Sequence, residues 1–220
     1  MSKSKLLVTS LPNIGKTTLL QSLTDVLVIA RDGKKYPFPQ AHVNVPDFTA
    51  ADQLIDLIVE KIEAYNTKNG ELPKTIAIDS VSKILLDIEG YCLEQVKSYP
   101  YAKVNTEIKK VVDFIERDLC PTFNVVLVSH AQYHEDSGGY ALVNAGGSYG
   151  KKGGILSEVD EAIFLEYRAK KRTVHFRNPK MASRTTVAEL PDSLPAEEFN
   201  LQSHLETLQQ RQSKAAEWSL

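Results

Sequence analysis

An α/β fold, with a mostly parallel sheet flanked by helices, is the class this sequence predicts, and three observations carry it. Short apolar runs recur at Leu6–Val8, Val26–Ala30, Thr75–Ile78 and Asn124–Val128. Runs this short and this continuously apolar read as strands buried on both faces. Segments of helical spacing lie between them, and strands alternating with helices imply parallel neighbours with helices on both sides. The first run leads straight into a Gly-Lys-Thr turn that opens a helix.

The elements follow in order. After Leu6–Val8 comes a loop from Thr9 to Gly15, then a helical segment from Lys16 to Leu23 with Leu19, Leu20 and Leu23 apolar. Residues 31–48 hold Gly33, Pro37, Pro39 and Pro46 and read as loop, with a short strand at Ala41–Val45. Ala50–Tyr65 is amphipathic, its apolar face made by Leu54, Ile55, Leu57, Ile58 and Ile62. A helix is expected from Ser82 to Val96, a break at Tyr99-Pro100, and another helix from Val104 to Leu119. Ala162–Tyr167 and Arg172–Arg177 read as two closing antiparallel strands. The division expected is one α/β domain over residues 1–190 and a C-terminal loop and helical tail over 191–220, with Trp218 its only large aromatic and a surface helix from Asn200 to Ala216.

Composition narrows the function. A chain of 220 residues with 42% hydrophobic and 25% charged residues suits one soluble domain. A net charge of −2 gives no global basic field, so nucleic acid would have to be met by a local patch. Cys92 and Cys120 are too few for a zinc or disulfide framework and read as reduced cytoplasmic thiols. No apolar run of membrane-spanning or signal-peptide type stands out, so a cytoplasmic protein with no membrane partner is expected.

Ser10-Leu11-Pro12-Asn13-Ile14-Gly15-Lys16-Thr17-Thr18 matches the phosphate-loop pattern G-x-x-x-x-G-K-[ST] at every fixed position but the first. Backbone N–H groups of such a loop converge on phosphate at the positive end of the following helix. Gly15 allows close approach, Lys16 brings a point charge to the β- and γ-phosphates, and the Thr17 hydroxyl ligates Mg²⁺. Ser10 stands where the pattern has glycine; if that position needs positive φ, serine costs ~1 kcal/mol.

Three more side chains stand at strand ends. Asp79 closes the apolar strand Thr75–Ile78 and is either the acid that holds Mg²⁺ or the N-cap of the next helix; after a phosphate loop the metal role is preferred. Ser80 is read as orienting Asp79 or the metal's waters. Asp32, expected on a strand neighbouring the phosphate strand, is either the base that polarises the attacking water or a turn residue before Gly33. His130 follows the strand Asn124–Val128 and is either a γ-phosphate sensor or a structural histidine. Between Ala131 and Gly154 lie seven of the eleven glycines. This stretch reads as one long loop, either one in which Tyr140 and Tyr149 stack on bases while Lys151 and Lys152 meet phosphates or a mobile loop with no ligand. The run Arg168, Lys170, Lys171, Arg172 reads as a solvated hairpin turn.

Ser10–Thr18, Ile76–Ser80, Val125–His130 and the closing pattern Val159-Asp160 with Val174–Arg184 resemble phage P-loop proteins of the RecA/Rad51-like superfamily, nearest to the small phage ATPases of single-strand annealing and recombination. The resemblance covers about residues 5–190. It implies a RecA-like core, ATP and Mg²⁺ as cofactors, a homo-oligomer with nucleotide between subunits, single-stranded DNA and a single-strand-binding or annealing protein as partners, and a place in the host cytoplasm. It matches Asp32 to the catalytic glutamate, His130 to the sensor, and the stretch after it to a DNA-facing loop. Arg177 and Lys180 fall where such proteins place basic residues that reach a neighbour's nucleotide. Two departures stand out: five residues precede the first strand, where long recombinases carry a polymerisation arm, and aspartate replaces glutamate as base. The implied function is a DNA-dependent ATPase assisting phage recombination or annealing. The alternatives are a non-hydrolysing adaptor or loader for a replication partner and, with less support because the glycine-rich segment carries lysines rather than lid arginines, a P-loop kinase.

Overall fold

The computed structural model describes residues 3–33 and 35–216. Its sheet runs β3 (Ala41–Asn44), β2 (Val26–Ala30), β4 (Thr75–Asp79), β5 (Asn124–His134), β1 (Lys5–Ser10), β7 (Glu161–Arg168), β8 (Lys171–His175), β9 (Ser193–Pro195) in spatial order, with β6 (Gly139–Leu142) paired to the far half of β5. From β3 to β7 every neighbouring pair is parallel; β7–β8, β8–β9 and β5–β6 are antiparallel. The expected parallel sheet with closing antiparallel strands is therefore present.

Side-chain alternation along the strands sorts the core into two layers. Leu7, Leu27, Ile29, Ile76, Ile78, Val125 and Leu127 share one cluster with α2 (Ala51–Asn69), α3 (Val81–Gln95) and α4 (Pro100–Phe114). Leu6, Val8, Val28, Ala77, Val126 and Val128 face the other way, onto Leu20 and Leu23 and onto α6 (Leu201–Ala216). Helix ends obey local chemistry. Pro100 opens α4, where its missing N–H costs nothing, and Gly70 closes α2 at φ 76°. The helix after the phosphate loop is shorter than its spacing predicts: α1 (Lys16–Leu19) tightens into a 3₁₀ turn at Leu20–Ser22.

Two expectations fail here. The segment from Ala131 to Gly154 is not one loop. β5 continues six residues beyond Val128 to His134, β6 returns along it, and α5 (Gly147–Lys151) and a 3₁₀ turn at Gly154–Glu158 follow. Gly139 serves close packing rather than freedom, since a Cβ there would stand 2.9 Å from the Lys180 carbonyl, which accepts the Tyr140 N–H at 2.7 Å. The tail helix is not a surface helix either. Leu201, Leu205 and Leu208 are buried, Ser22 Oγ accepts the Leu201 N–H, and Gln209 donates to Asn124. Its neutral face carried a leucine period that its polar composition masked. Trp218 lies outside the described residues.

Candidate nucleotide-binding cleft

β1 delivers the chain to the phosphate loop, and the loop turns on two left-handed residues, Asn13 at φ 63° and Gly15 at φ 108°. Asparagine tolerates that region and glycine is at home in it. Ser10 is the last strand residue and has no positive φ, so the serine carries none of the backbone cost that a glycine-requiring position would impose. Its hydroxyl instead donates to Leu11 O at 2.6 Å and accepts from Lys16 Nζ at 3.0 Å. Lys16 is 6% exposed, and its ammonium also donates to Ser10 O and Leu11 O at 3.2 and 3.0 Å. These contacts hold the charge over the loop. Pro12 and Asn13 form the exposed rim, Ile14 packs on the apolar layer that holds Leu20, and Thr18 is exposed beyond the loop.

Asp79 is a strand residue, paired to β2 on one side and to β5 on the other. Ser80, not Asp79, occupies the N-cap position of α3, and it makes no side-chain cap bond. The helix-cap alternative for Asp79 is thereby removed. Thr17 Oγ1 and the Tyr36 hydroxyl both donate to Asp79 Oδ2 at 2.8 Å. Burial, followed by the Asp79 charge and hydrogen bond and the more distant Asp32, pushes the Tyr36 phenol far above its ordinary range, so Tyr36 stays a donor. A hydroxyl and a carboxylate converging this closely are the hard oxygen donors that suit Mg²⁺. Among the described residues no group of three or more His, Cys, Asp or Glu could cage a metal by itself. The pair fits the ion that shares its coordination with phosphate and water.

β2 is not beside β1 as the sequence reading expected: β4 and β5 intervene. Asp32 reaches the cleft by a different route. The Arg31 N–H donates to Asp79 O at 2.6 Å, which extends the β2–β4 pairing and carries the next residue over the strand ends. The Arg31 side chain anchors that turn through Asp87 at 2.6 Å, Asp47 at 2.8 Å and Val45 O. His130 sits on the strand between the phosphate strand and the acid strand, opposite Ser10. Its Nδ1 lies 3.1 Å from Lys16 Nζ. An ammonium can only donate, so Nδ1 accepts and the ring proton is on Nε2. The His130 N–H donates to Ser82 Oγ at 3.1 Å, and Ser82 Oγ lies 2.9 Å from Ser80 Oγ. Ser80 thus ties the start of α3 to His130 rather than reaching toward metal waters. Asn13, Gly15, Lys16, Thr17, Asp32, Asp79 and His130 line one cleft of about 260 Å³.

The other residues singled out in the sequence lie elsewhere. Arg177 donates to Leu190 O and Val187 O and faces Asp192, so its guanidinium is committed to its own chain's 187–192 segment. Lys180 is exposed beside the β5–β6 hairpin. Tyr140 is half-buried on Phe164 and Tyr133. Tyr149 packs on the helical layer with its hydroxyl buried, and burial lifts its pKa above the usual phenol value. That removes it as a base-stacking surface, whereas Tyr133, absent from the sequence reading, is 54% exposed on the hairpin. Lys151 and Lys152 are exposed. Tyr36 and Ser82 were missed because each reaches its partner across distant sequence, and neither belongs to a spaced motif.

No described helix is long and apolar enough to cross a membrane. None of the curated proteins compared matches the chain. A family model described as an AAA domain matches residues 2–186, from ahead of the phosphate strand to past the closing hairpin. The match takes in the loop, the buried acid and the strand that separates them, and the chain belongs to this AAA-domain family of P-loop NTPases.

Proposed function

We propose that this protein is a Mg²⁺-dependent ATPase of RecA-like kind, coupled to single-stranded DNA and serving recombination or single-strand annealing. The observation that carries the reading is the convergence of Lys16, Thr17, Asp79, Asp32 and His130 on one cleft. In it, Lys16 and the loop N–H groups hold the phosphates. Thr17 and Asp79 would hold Mg²⁺, which when bound neutralises charge on the transferred phosphoryl group. Asp32 orients the attacking water and accepts its proton. His130 shares a contact with Lys16 and is continuous with the β5–β6 hairpin, which supports a role in reporting phosphate to that hairpin.

The DNA-facing surface in this reading is the hairpin with Tyr133 and Tyr140, together with Lys151 and Lys152. Lys180, exposed next to the hairpin, is the basic residue offered to a neighbouring subunit's nucleotide. The commitment of Arg177 within its own chain favours a second reading, a nucleotide-binding adaptor or loader that turns over slowly. Steady-state ATP hydrolysis with and without single-stranded DNA separates the two. Stimulation by DNA supports the ATPase, and hydrolysis indifferent to DNA, with tight nucleotide binding retained, supports the adaptor.

A further inference from the structure

Arg172 was expected to be part of a solvated basic turn, but the fold singles it out from its neighbours. It shares a face of β8 with Val174, because side chains two apart on a strand point the same way. Val174 is buried in the layer that contains Leu20, on the side of the sheet covered by α1 and α6. Arg172 is therefore aimed at the back of the phosphate loop. Its Nη1 lies 3.0 Å from where a Cβ on Gly15 would stand, and Thr18 Oγ1 lies 3.7 Å from the same point. Arg172 is an exposed residue, and its guanidinium makes no hydrogen bond or ion pair with any described residue.

Beside it opens a second cavity, of about 240 Å³, whose walls include Thr18, Leu19, Leu165, Arg172, Glu197 and Phe199. Gly15, Lys16 and Thr17 line the phosphate cleft and Thr18 and Leu19 line this cavity, so the two spaces flank the same short stretch of chain, the first turn of α1. Leu19, Leu165 and Phe199 supply apolar walls, and Glu197 supplies a carboxylate acceptor. Apolar walls with a few placed polar groups are what a flat, partly polar ligand requires. The backbone is fixed as well, since the Ala196 N–H donates to Arg172 O at 3.0 Å.

We propose that Arg172 is a nucleotide ligand supplied by the same chain, and that the cavity beyond it takes the nucleoside end of a nucleoside 5′-di- or triphosphate. Arg172 meets the phosphates nearest the sugar, the base lies against Leu19 and Phe199, and Glu197 accepts from the ribose hydroxyls. The proposal rests on the phosphate loop binding a nucleotide. Because Arg172 acts at the sugar end, it serves ADP and ATP alike, unlike a residue that reads the γ-phosphate.

Calorimetric binding of Mg-ATP and Mg-ADP to the wild type, Lys16→Ala, Arg172→Ala and Ala196→Trp tests it. Arg172→Ala removes an exposed side chain with no hydrogen-bond or ion-pair partner among the described residues and is expected to keep the fold; it is expected to weaken both nucleotides by about 10- to 100-fold, the range for a hydrogen bond to a charged group. Ala196→Trp, which fills the cavity, is expected to weaken both by more than about tenfold with an unchanged melting temperature. Wild-type affinity in Arg172→Ala, while Lys16→Ala loses binding, overturns the role of Arg172 and leaves the phosphate site standing. Wild-type affinity in a folded Ala196→Trp overturns the nucleoside cavity. A wild type that binds neither nucleotide overturns this proposal and the nucleotide reading together.

Discussion

The phosphate cleft and the β5–β6 hairpin meet at His130 and are built in opposite ways. The cleft is assembled along three adjacent parallel strands: Ser10 and Asp79 end β1 and β4, His130 is the last β5 residue in register with β1, and a single contiguous loop adds Gly15, Lys16 and Thr17. Its polar groups are tied to one another, Lys16 to Ser10, Leu11 and His130, and Asp79 to Thr17 and Tyr36. The hairpin instead projects beyond the sheet. It is held by its own ladder, by the Lys180 carbonyl and by the stacking of Tyr140 on Phe164, and its outer residues from Gln132 to Ser137 are exposed. A preorganised cleft suits chemistry, because donors already aimed at their target give up little on binding. An exposed hairpin joined to that cleft by a continuous strand suits a surface that responds to it.

Substitutions in the cleft are expected to change turnover steeply and those beyond His130 to change it little. The largest effect is expected from Lys16→Ala, which abolishes ATP turnover and strongly weakens nucleotide binding while the protein stays folded. The carbonyls it releases border the cleft, where water can replace the missing donor. Turnover measured beside thermal melting checks this, and a folded variant that hydrolyses ATP at the wild-type rate would take Lys16 out of the chemistry of the cleft. Asp32→Asn comes next. Turnover is expected to fall by roughly 10²-fold, the scale of a missing general base, with nucleotide affinity kept. A small change in rate would make Asp32 a turn residue next to Gly33.

The third effect concerns Asp79, the acid proposed to face Mg²⁺. Asp79→Asn removes the carboxylate charge, and Tyr36→Phe removes only a donor to it. Magnesium titrations of ATPase activity are expected to show a shift to higher Mg²⁺ for both. The shift for Tyr36→Phe is about tenfold, the low end for a partner that orients a ligand, and that for Asp79→Asn is larger. Identical Mg²⁺ dependence in Tyr36→Phe and the wild type would reduce Tyr36 to a packing residue on Phe38 and His42.

The same contrast explains what the sequence made legible. Phosphate-loop chemistry is local: residues 10–18 must be contiguous because one turn and one helix end make the site, so the pattern survives in the primary structure. Asp79 was legible because an acid ending an apolar strand is also a local signal. The position of β2 was not, because strand order is set by pairing between runs that look alike; Val26–Ala30 carries nothing that says it joins Thr75–Asp79 rather than Lys5–Ser10. Asp32 was assigned to the cleft on a wrong neighbour and still reaches it, through the Arg31–Asp79 backbone bond. The glycines of 138–154 suggested a loop, yet Gly139 is there for the approach of Lys180, and Gly150 for that of Ala145, whose carbonyl a Cβ would meet at 2.4 Å. Composition could not separate glycine needed for freedom from glycine needed for close approach. Tyr149 failed for the same reason, since aromatic exposure is decided by packing against residues far along the chain.

The smallest effect is expected beyond His130. Lys151 and Lys152 are exposed at the end of α5, and neither lines the phosphate cleft. Replacing both by alanine is expected to leave nucleotide binding and DNA-free turnover intact. Single-strand affinity should fall modestly at low salt, and the slope of log affinity against log salt should flatten by about 0.7 for each lysine–phosphate pair removed, through reduced counterion release. His130→Ala is the complementary variant. It leaves the lysines and Tyr133 in place but removes the imidazole that contacts Lys16, the link proposed between phosphate occupancy and β5. DNA affinity measured with ATP and with ADP should then differ in the wild type and become equal in His130→Ala, because coupling requires a group that feels both sites. The double lysine variant should keep that difference and show only the flatter salt slope. Reversed results, with the slope unchanged by the lysines and the nucleotide difference surviving without His130, would place the DNA surface elsewhere and leave the hairpin as a structural extension of the sheet.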